Sequence, residues 1–137
     1  MKKLILGLNE LEILVDEVLN SLGDGVVILQ GDLASGKTSF VKAFVKKLDI
    51  SDNVTSPTFS LQQCYSNNIY HYDIYNHGLN HFISLGMLEE LDKAGIHFVE
   101  WGDDELKKIL DLAGIENIKL KIKKISDDKR EYTICTH

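Results

Sequence analysis

Apolar residues in this chain fall into short blocks, and the spacing changes from block to block. Leu11, Leu14, Val15, Val18, Leu19 and Leu22 recur every three or four positions and trace one face of a helix. Asn9 is placed to cap it, Glu12 lies three residues on as in a capping box, and Gly23 is expected to end it. Val26-Val27-Ile28-Leu29-Gln30 is a continuous, β-branched-rich run that suits a strand buried on both faces. Phe40, Val41, Phe44, Val45 and Leu48 then return to helical spacing, with Lys46 and Lys47 at the negative end of the helix dipole.

The second half alternates between strand and helix patterns. Asn53 to Phe59 holds the only proline and a cluster of hydroxyls, which predicts a loop. Ser60 to Tyr65 and Ile69 to Asp73 read as strands joined by the turn Ser66-Asn67-Asn68. His77 to Asn80 is expected to be a loop, followed by a weakly patterned helix from Phe82 to Leu91. Gly95 introduces the strand Ile96 to Trp101. Asp103 can cap a helix whose buried set is Leu106, Ile109, Leu110 and Leu112, with Gly114 as its stop. Ile118 to Lys123 alternates strictly, and Lys129 to Thr136 answers it across Ser126-Asp127-Asp128. These elements predict an α/β protein: a single P-loop NTPase-like domain over residues 1–137, with a mixed sheet containing antiparallel hairpins and flanked by helices.

The P-loop in that expectation is Gly31-Asp32-Leu33-Ala34-Ser35-Gly36-Lys37-Thr38, which follows an apolar strand and opens a helix. A triphosphate concentrates negative charge in a small volume. A glycine-containing loop can turn its backbone N–H groups toward it, and the helix N-terminus adds the positive end of its dipole. Lys37 would neutralise the β- and γ-phosphates, the Thr38 hydroxyl would take a position on Mg²⁺, and Ser39 completes the phosphate-binding run. ATP with Mg²⁺ is therefore the expected ligand. GTP is disfavoured because no Asn-Lys-x-Asp motif follows.

Such a site needs further carboxylates, and two apolar strands end in one: Ile69-Tyr70-His71-Tyr72 closes on Asp73, and Ile96-His97-Phe98-Val99 closes on Glu100. The preferred division puts Asp73 on Mg²⁺ through its hydration shell and gives Glu100 the attacking water to orient. The alternative for each is an ordinary surface acid at a strand end. Thr58 could sense the γ-phosphate from the loop, or simply satisfy loop backbone. Trp101, the only tryptophan, could stack near the nucleotide or serve packing alone. A zinc site from His71, His77, His81 and Asp73 matches no standard spacing.

Composition narrows the setting. A net charge of −6 argues against broad nucleic-acid binding, although Lys119, Lys121, Lys123, Lys124, Lys129 and Arg130 form a local basic hairpin. That lysine face reads either as a contact for tRNA or an acidic partner, or as a solvated edge strand. Arg130 is the only arginine, so the chain lacks the arginine lid that small-molecule kinases close over a transferring phosphate, and slow unaided turnover is expected. Cys64 and Cys135 have no metal spacing and read as buried or half-buried thiols of a reducing compartment. The start of the chain lacks a secretory pattern and no run reaches membrane-span length, so cytoplasm is the expected location.

Taken together, Gly31-Asp32-Leu33 with Gly36-Lys37-Thr38, then Ser56-Pro57-Thr58-Phe59, His71-Tyr72-Asp73-Ile74-Tyr75 and Val99-Glu100-Trp101 resemble the TsaE (YjeE) ATPases of bacterial tRNA threonylcarbamoyladenosine synthesis, in the family's order. The resemblance implies a P-loop fold in which Lys37 and Thr38 bind phosphate and Mg²⁺ and Thr58 belongs to a switch-like loop. It makes Asp73 the Mg²⁺-side carboxylate and puts Glu100 and Trp101 at the active site, with Glu100 and Thr58 within reach of the metal. It also implies TsaB and TsaD as partners, ATP hydrolysis in support of their turnover, contact with tRNA only through that complex, and no membrane role. The sequence departs from the family pattern at Ala34-Ser35, at Asn76, where an arginine is usual, and at Gly102. A small-molecule kinase and a nucleotide-dependent binding module are the competing functions.

Overall fold

The computed structural model describes residues 1–31, 36–48, 62–66, 68–74 and 78–136. The expected loop from Asn53 to Phe59 lies outside the described residues, as do Asp32, Leu33, Ala34, Ser35, Asn76 and His77. Among the described residues the strands are β1 (Lys2–Leu6), β2 (Gly25–Gln30), β3 (Gln62–Tyr65), β4 (Ile69–Asp73), β5 (Ile96–Glu100), β6 (Asn117–Lys124) and β7 (Arg130–Cys135). They form one sheet in the order β1-β7-β6-β2-β5-β4-β3. β2 runs parallel to both its neighbours, β5 and β6, and β4 runs parallel to β5. The β3–β4, β6–β7 and β1–β7 pairs are antiparallel. The expected mixed sheet with antiparallel hairpins is therefore present, and helices cover both faces.

β2 sits at the middle because its sequence allows nothing else. Val26, Val27, Ile28 and Leu29 are all fully buried, each side chain contributing about 1.5–3 kcal/mol of burial free energy. Alternation divides them between two cores. Val27 and Leu29 pack with α1 (Leu11–Ser21) and α2 (Lys37–Lys47), while Val26 and Ile28 pack with Phe82 of α3 (Gly78–Ser84), Leu91 of α4 (Met87–Leu91) and Leu106 and Leu110 of α5 (Asp104–Leu112). On the first face Phe40 and Phe44 of α2 meet Phe98 of β5 edge-on, with ring centroids 5.8 and 4.9 Å apart. This contact fixes the first turns of α2 over the C-terminal end of β5.

Several local expectations hold and others give way. Asp103 caps α5 by accepting from Leu106 N (2.9 Å), and Gly114 follows at φ 74°. Leu112 is exposed rather than buried, because α5 ends there and its apolar face is already filled by Leu106 and Leu110. The first helix is not capped by Asn9 and Glu12. A 3₁₀ turn at Leu8–Glu10 precedes it, and Glu10 Oε1 accepts from Gly7 N (2.9 Å). Gly23 does not end that helix either, since Leu22 already turns to extended backbone. The single helix expected from Phe82 to Leu91 is two, broken at Gly86 (φ 76°), and the first begins at Gly78 inside the expected polar loop. The N-terminal segment is an unanticipated strand, paired to β7. Cys64 is exposed, not buried. β6 is not an edge strand, because β2 and β7 flank it. Its basic side is partly neutralised, with Lys119 on Asp104 (2.7 Å), Lys124 near Asp127 (3.5 Å) and Lys129 on Glu10 (3.2 Å).

Candidate functional site

The C-terminal ends of the parallel strands β2, β4 and β5 converge at one edge of the sheet, where open α/β sheets bind ligands. β2 runs there into Gly31, and α2 opens at Lys37 after Gly36, whose φ of 113° lies in a region that L side chains rarely adopt. Gly36, the residue at the start of α2, has no side chain with which to cap it.

Lys37 is almost fully buried. Its Nζ donates to Gly31 O (2.6 Å) and lies 4.0 Å from the centre of the Trp101 ring. Trp101 reaches this position through a left-handed backbone (φ 68°), unusual for a large side chain. Its N–H donates to Leu29 O (3.1 Å), which ties the turn after β5 back to β2. Gln30 Nε2 adds a second tie by donating to Gly102 O (3.1 Å).

Thr38 Oγ1 donates to Glu100 Oε2 (3.3 Å), bringing the residue after the P-loop lysine against the acid that ends β5. Glu100 is itself buried, and the same Oε2 accepts from His71 Nε2 (2.5 Å). Asp73 and Glu100 are register partners on neighbouring parallel strands, and His71 is the partner of Phe98. Residues 71, 73, 98 and 100 therefore all emerge on the α2 side of the sheet. Asp73 is half-buried there and Ser39 is exposed on the first turn of α2. Gly31, Gly36, Lys37, Thr38, Asp73, Glu100 and Trp101 are thus brought to one end of the sheet, whereas Asp32, Leu33, Ala34, Ser35 and Thr58 lie outside the described residues.

In the sequence, His71 stands in the motif His71-Tyr72-Asp73-Ile74-Tyr75 and in a zinc alternative, with no role of its own at the phosphate site. His77 of that alternative lies outside the described residues; among the described residues no cluster of three or more His, Cys, Asp or Glu could hold a metal, and His71 is engaged with Glu100. The donors that do gather, a hydroxyl and two carboxylates, are hard oxygen ligands of the kind Mg²⁺ takes alongside phosphate oxygens. The signal for His71 lay in alternation, which puts residue 71 on the same face as 73, but its contact with residue 100 required the β4–β5 register.

Comparison with known proteins follows the same lines. The family model described as "Threonylcarbamoyl adenosine biosynthesis protein TsaE" matches residues 8–132. The tRNA threonylcarbamoyladenosine biosynthesis protein TsaE of Treponema pallidum is 34% identical over 113 residues, spanning 80% of this chain and 81% of that protein. The protein of the same name from Bacillus subtilis is 34% identical over 114 residues, spanning 79% and 67%. Among solved structures, the crystal structure of Bacillus subtilis YdiB matches with a TM-score of 0.67 at 26% identity, covering 99% of this chain and 87% of that one. No described helix is long and apolar enough to cross a membrane.

Proposed function

This chain belongs to the TsaE family of threonylcarbamoyl adenosine biosynthesis proteins, and from that premise we propose that it binds and hydrolyses Mg²⁺-ATP in support of threonylcarbamoyl transfer to tRNA by a TsaB–TsaD complex. The observation that carries this reading is the bond from Thr38 Oγ1 to Glu100 Oε2 (3.3 Å), which joins the phosphate-binding helix to an acid from another strand. An ordinary glycine turn before a helix has no need of a buried carboxylate at that point.

Magnesium-bound ATP supplies the reactive phosphoanhydride and the metal's charge. The chain's own groups do the rest. Lys37 exchanges Gly31 O and the Trp101 face for phosphate oxygens, which offer its ammonium a stronger, charge-assisted partner. The Thr38 hydroxyl and the Asp73 carboxylate, with Glu100 adjacent, are the oxygen donors that would hold Mg²⁺. Glu100 orients the attacking water and accepts its proton. The only arginine, Arg130, lies in the β6–β7 hairpin and donates to Ser126 O and Lys129 O (3.1 and 3.2 Å), so transition-state charge must be met from elsewhere. Docking of TsaB and TsaD is the proposed source of that help, with tRNA met only through the complex and the reaction taking place in the cytoplasm.

The test is ATP binding by calorimetry and hydrolysis by phosphate release, each with and without TsaB and TsaD. Lys37→Ala should abolish binding, and Glu100→Gln should spare binding while removing hydrolysis. Parent-like hydrolysis by both variants, or release of phosphate only onto an added acceptor, would refute the reading.

A further inference from the structure

We infer that His71 is a positioning residue for Glu100, fixing which carboxylate oxygen faces the attacking water; the inference rests on the proposed hydrolytic role of Glu100. His71 is fully buried on β4, and its Nε2–H donates to Glu100 Oε2. Thr38 Oγ1 donates to the same oxygen. Two donors from two different elements thus converge on Oε2 and leave Oε1 as the oxygen to receive a proton. On the other side of the ring, Nδ1 stands 3.3 Å from the Tyr65 hydroxyl, whose single proton can go to Nδ1 or to Gln63 Oε1 (2.9 Å) but not to both.

A purely structural role is a poor account of this pair. Of the neighbouring positions on that face, Ile69 and Phe98 are apolar and buried, while the polar Gln63 and Asp73 are only half-buried, so His71 and Glu100 are the polar pair set deepest there. Removing an imidazole and a carboxylate from water costs several kcal/mol for a charged member, and well-packed apolar residues commonly do as well or better for stability. What the pair supplies is direction. An unanchored Glu100 carboxylate would be drawn toward the ammonium of Lys37, the residue before Thr38, cancelling charge that the phosphates need. A histidine can hold it off with one short, planar donor that brings no competing alkyl-ammonium into the phosphate site.

The test measures single-turnover hydrolysis of Mg²⁺-ATP and affinity for a non-hydrolysable ATP analogue in His71→Leu, His71→Gln and His71→Asn, alongside Glu100→Gln and the double variant His71→Leu/Glu100→Gln. A glutamine amide nitrogen reaches the place of Nε2, whereas asparagine reaches only that of Nδ1. His71→Leu should slow hydrolysis about 10- to 100-fold, the usual effect of losing an orienting partner, with nucleotide affinity unchanged. Glutamine should recover most of the rate and asparagine little, and the double variant should be no slower than Glu100→Gln alone. Should the leucine variant not fold, the Gln–Asn contrast decides: equal rates overturn the inference. Parent-like hydrolysis by His71→Leu, or a parallel loss of affinity and rate in all three variants, also overturns it. If Glu100→Gln itself hydrolyses ATP normally, the proposed role of Glu100 fails instead. If Glu100→Gln is inactive and His71→Leu is not, only the positioning role falls.

Discussion

Replacing Tyr72 by Phe removes one oxygen from the opposite face of the β4–β5 pair, and the structure allows its cost to be worked out. The Tyr72 hydroxyl donates to His97 Nδ1 (2.7 Å), and His97 Nε2–H donates to Lys93 O (2.8 Å). Both rings are fully buried, and Tyr70 stacks on the imidazole at 4.5 Å. Phenylalanine keeps the ring and its edge contact with Phe82 (5.8 Å). Packing therefore survives, and the loss is confined to a buried acceptor, His97 Nδ1, without a donor. Gln62, which also donates to Tyr72, keeps a bond to Glu90 (3.2 Å) and contributes little to the penalty. Leaving one buried neutral acceptor unsatisfied costs about 1–3 kcal/mol, which for a domain of this size corresponds to a fall in Tm of roughly 3–12 °C. Urea titration followed by circular dichroism at pH 8, where His97 is neutral in both states, measures it directly. A change below about 0.5 kcal/mol, the range of an inconsequential surface substitution, would refute the claim that this hydroxyl joins the two strands.

Burial pushes the His97 imidazole below its ordinary value of 6.5. The folded protein therefore takes up that proton later than the unfolded chain, so the contribution of His97 is complete above pH 6.5 and is lost as pH falls below it, by at most about 1.4 kcal/mol per pH unit until the folded group titrates; His97→Gln should flatten the stability profile between pH 7 and 5. At Gly95 (φ 120°) an added Cβ would lie 2.1 Å from Asn68 O, the acceptor for Ile96 N, so Gly95→Ala should destabilise by about 3 kcal/mol through overlap and backbone strain, and an unchanged denaturation midpoint would contradict this close approach of Asn68 to the start of β5. Because the only tryptophan lies against Lys37, saturating Mg²⁺-ATP should shift intrinsic fluorescence, and the response should disappear in Lys37→Ala; emission unaltered across a full titration of the parent would mean that Lys37 never leaves the ring.

The elements most legible in the sequence were those whose pattern is completed locally. β2 announced itself by four apolar residues in a row, α2 by helical spacing after a glycine, and α5 by Asp103 and Gly114 at its ends. What failed depended on distant partners. Lys2–Leu6 has no clear alternation and becomes a strand only because β7 offers an edge. The break at Gly86 sits inside a run that periodicity alone cannot divide. Lys119, Lys121 and Lys123 resembled a solvated border, but that reading depended on knowing which strand lies outside β6. At the site, Asp73 and Glu100 could be named as strand-terminal acids, yet that they face the same way follows from register. The engagement of His71, 29 residues from Glu100, follows from the same pairing.

The parity of that pairing restricts how this protein can change. His71, Asp73 and Glu100 share a side only while β4 and β5 keep their present step. One residue inserted between Ile69 and His71 would rotate His71 and Asp73 together to the Tyr72 side, and two would return them to the α2 side one step further along. The bend around Asn68 adjoins Gly95, at the end of the strands away from Lys37, and extra length there leaves the count within β4 untouched. Length variation in this region should therefore be absorbed by the bend, and within β4 only in steps of two.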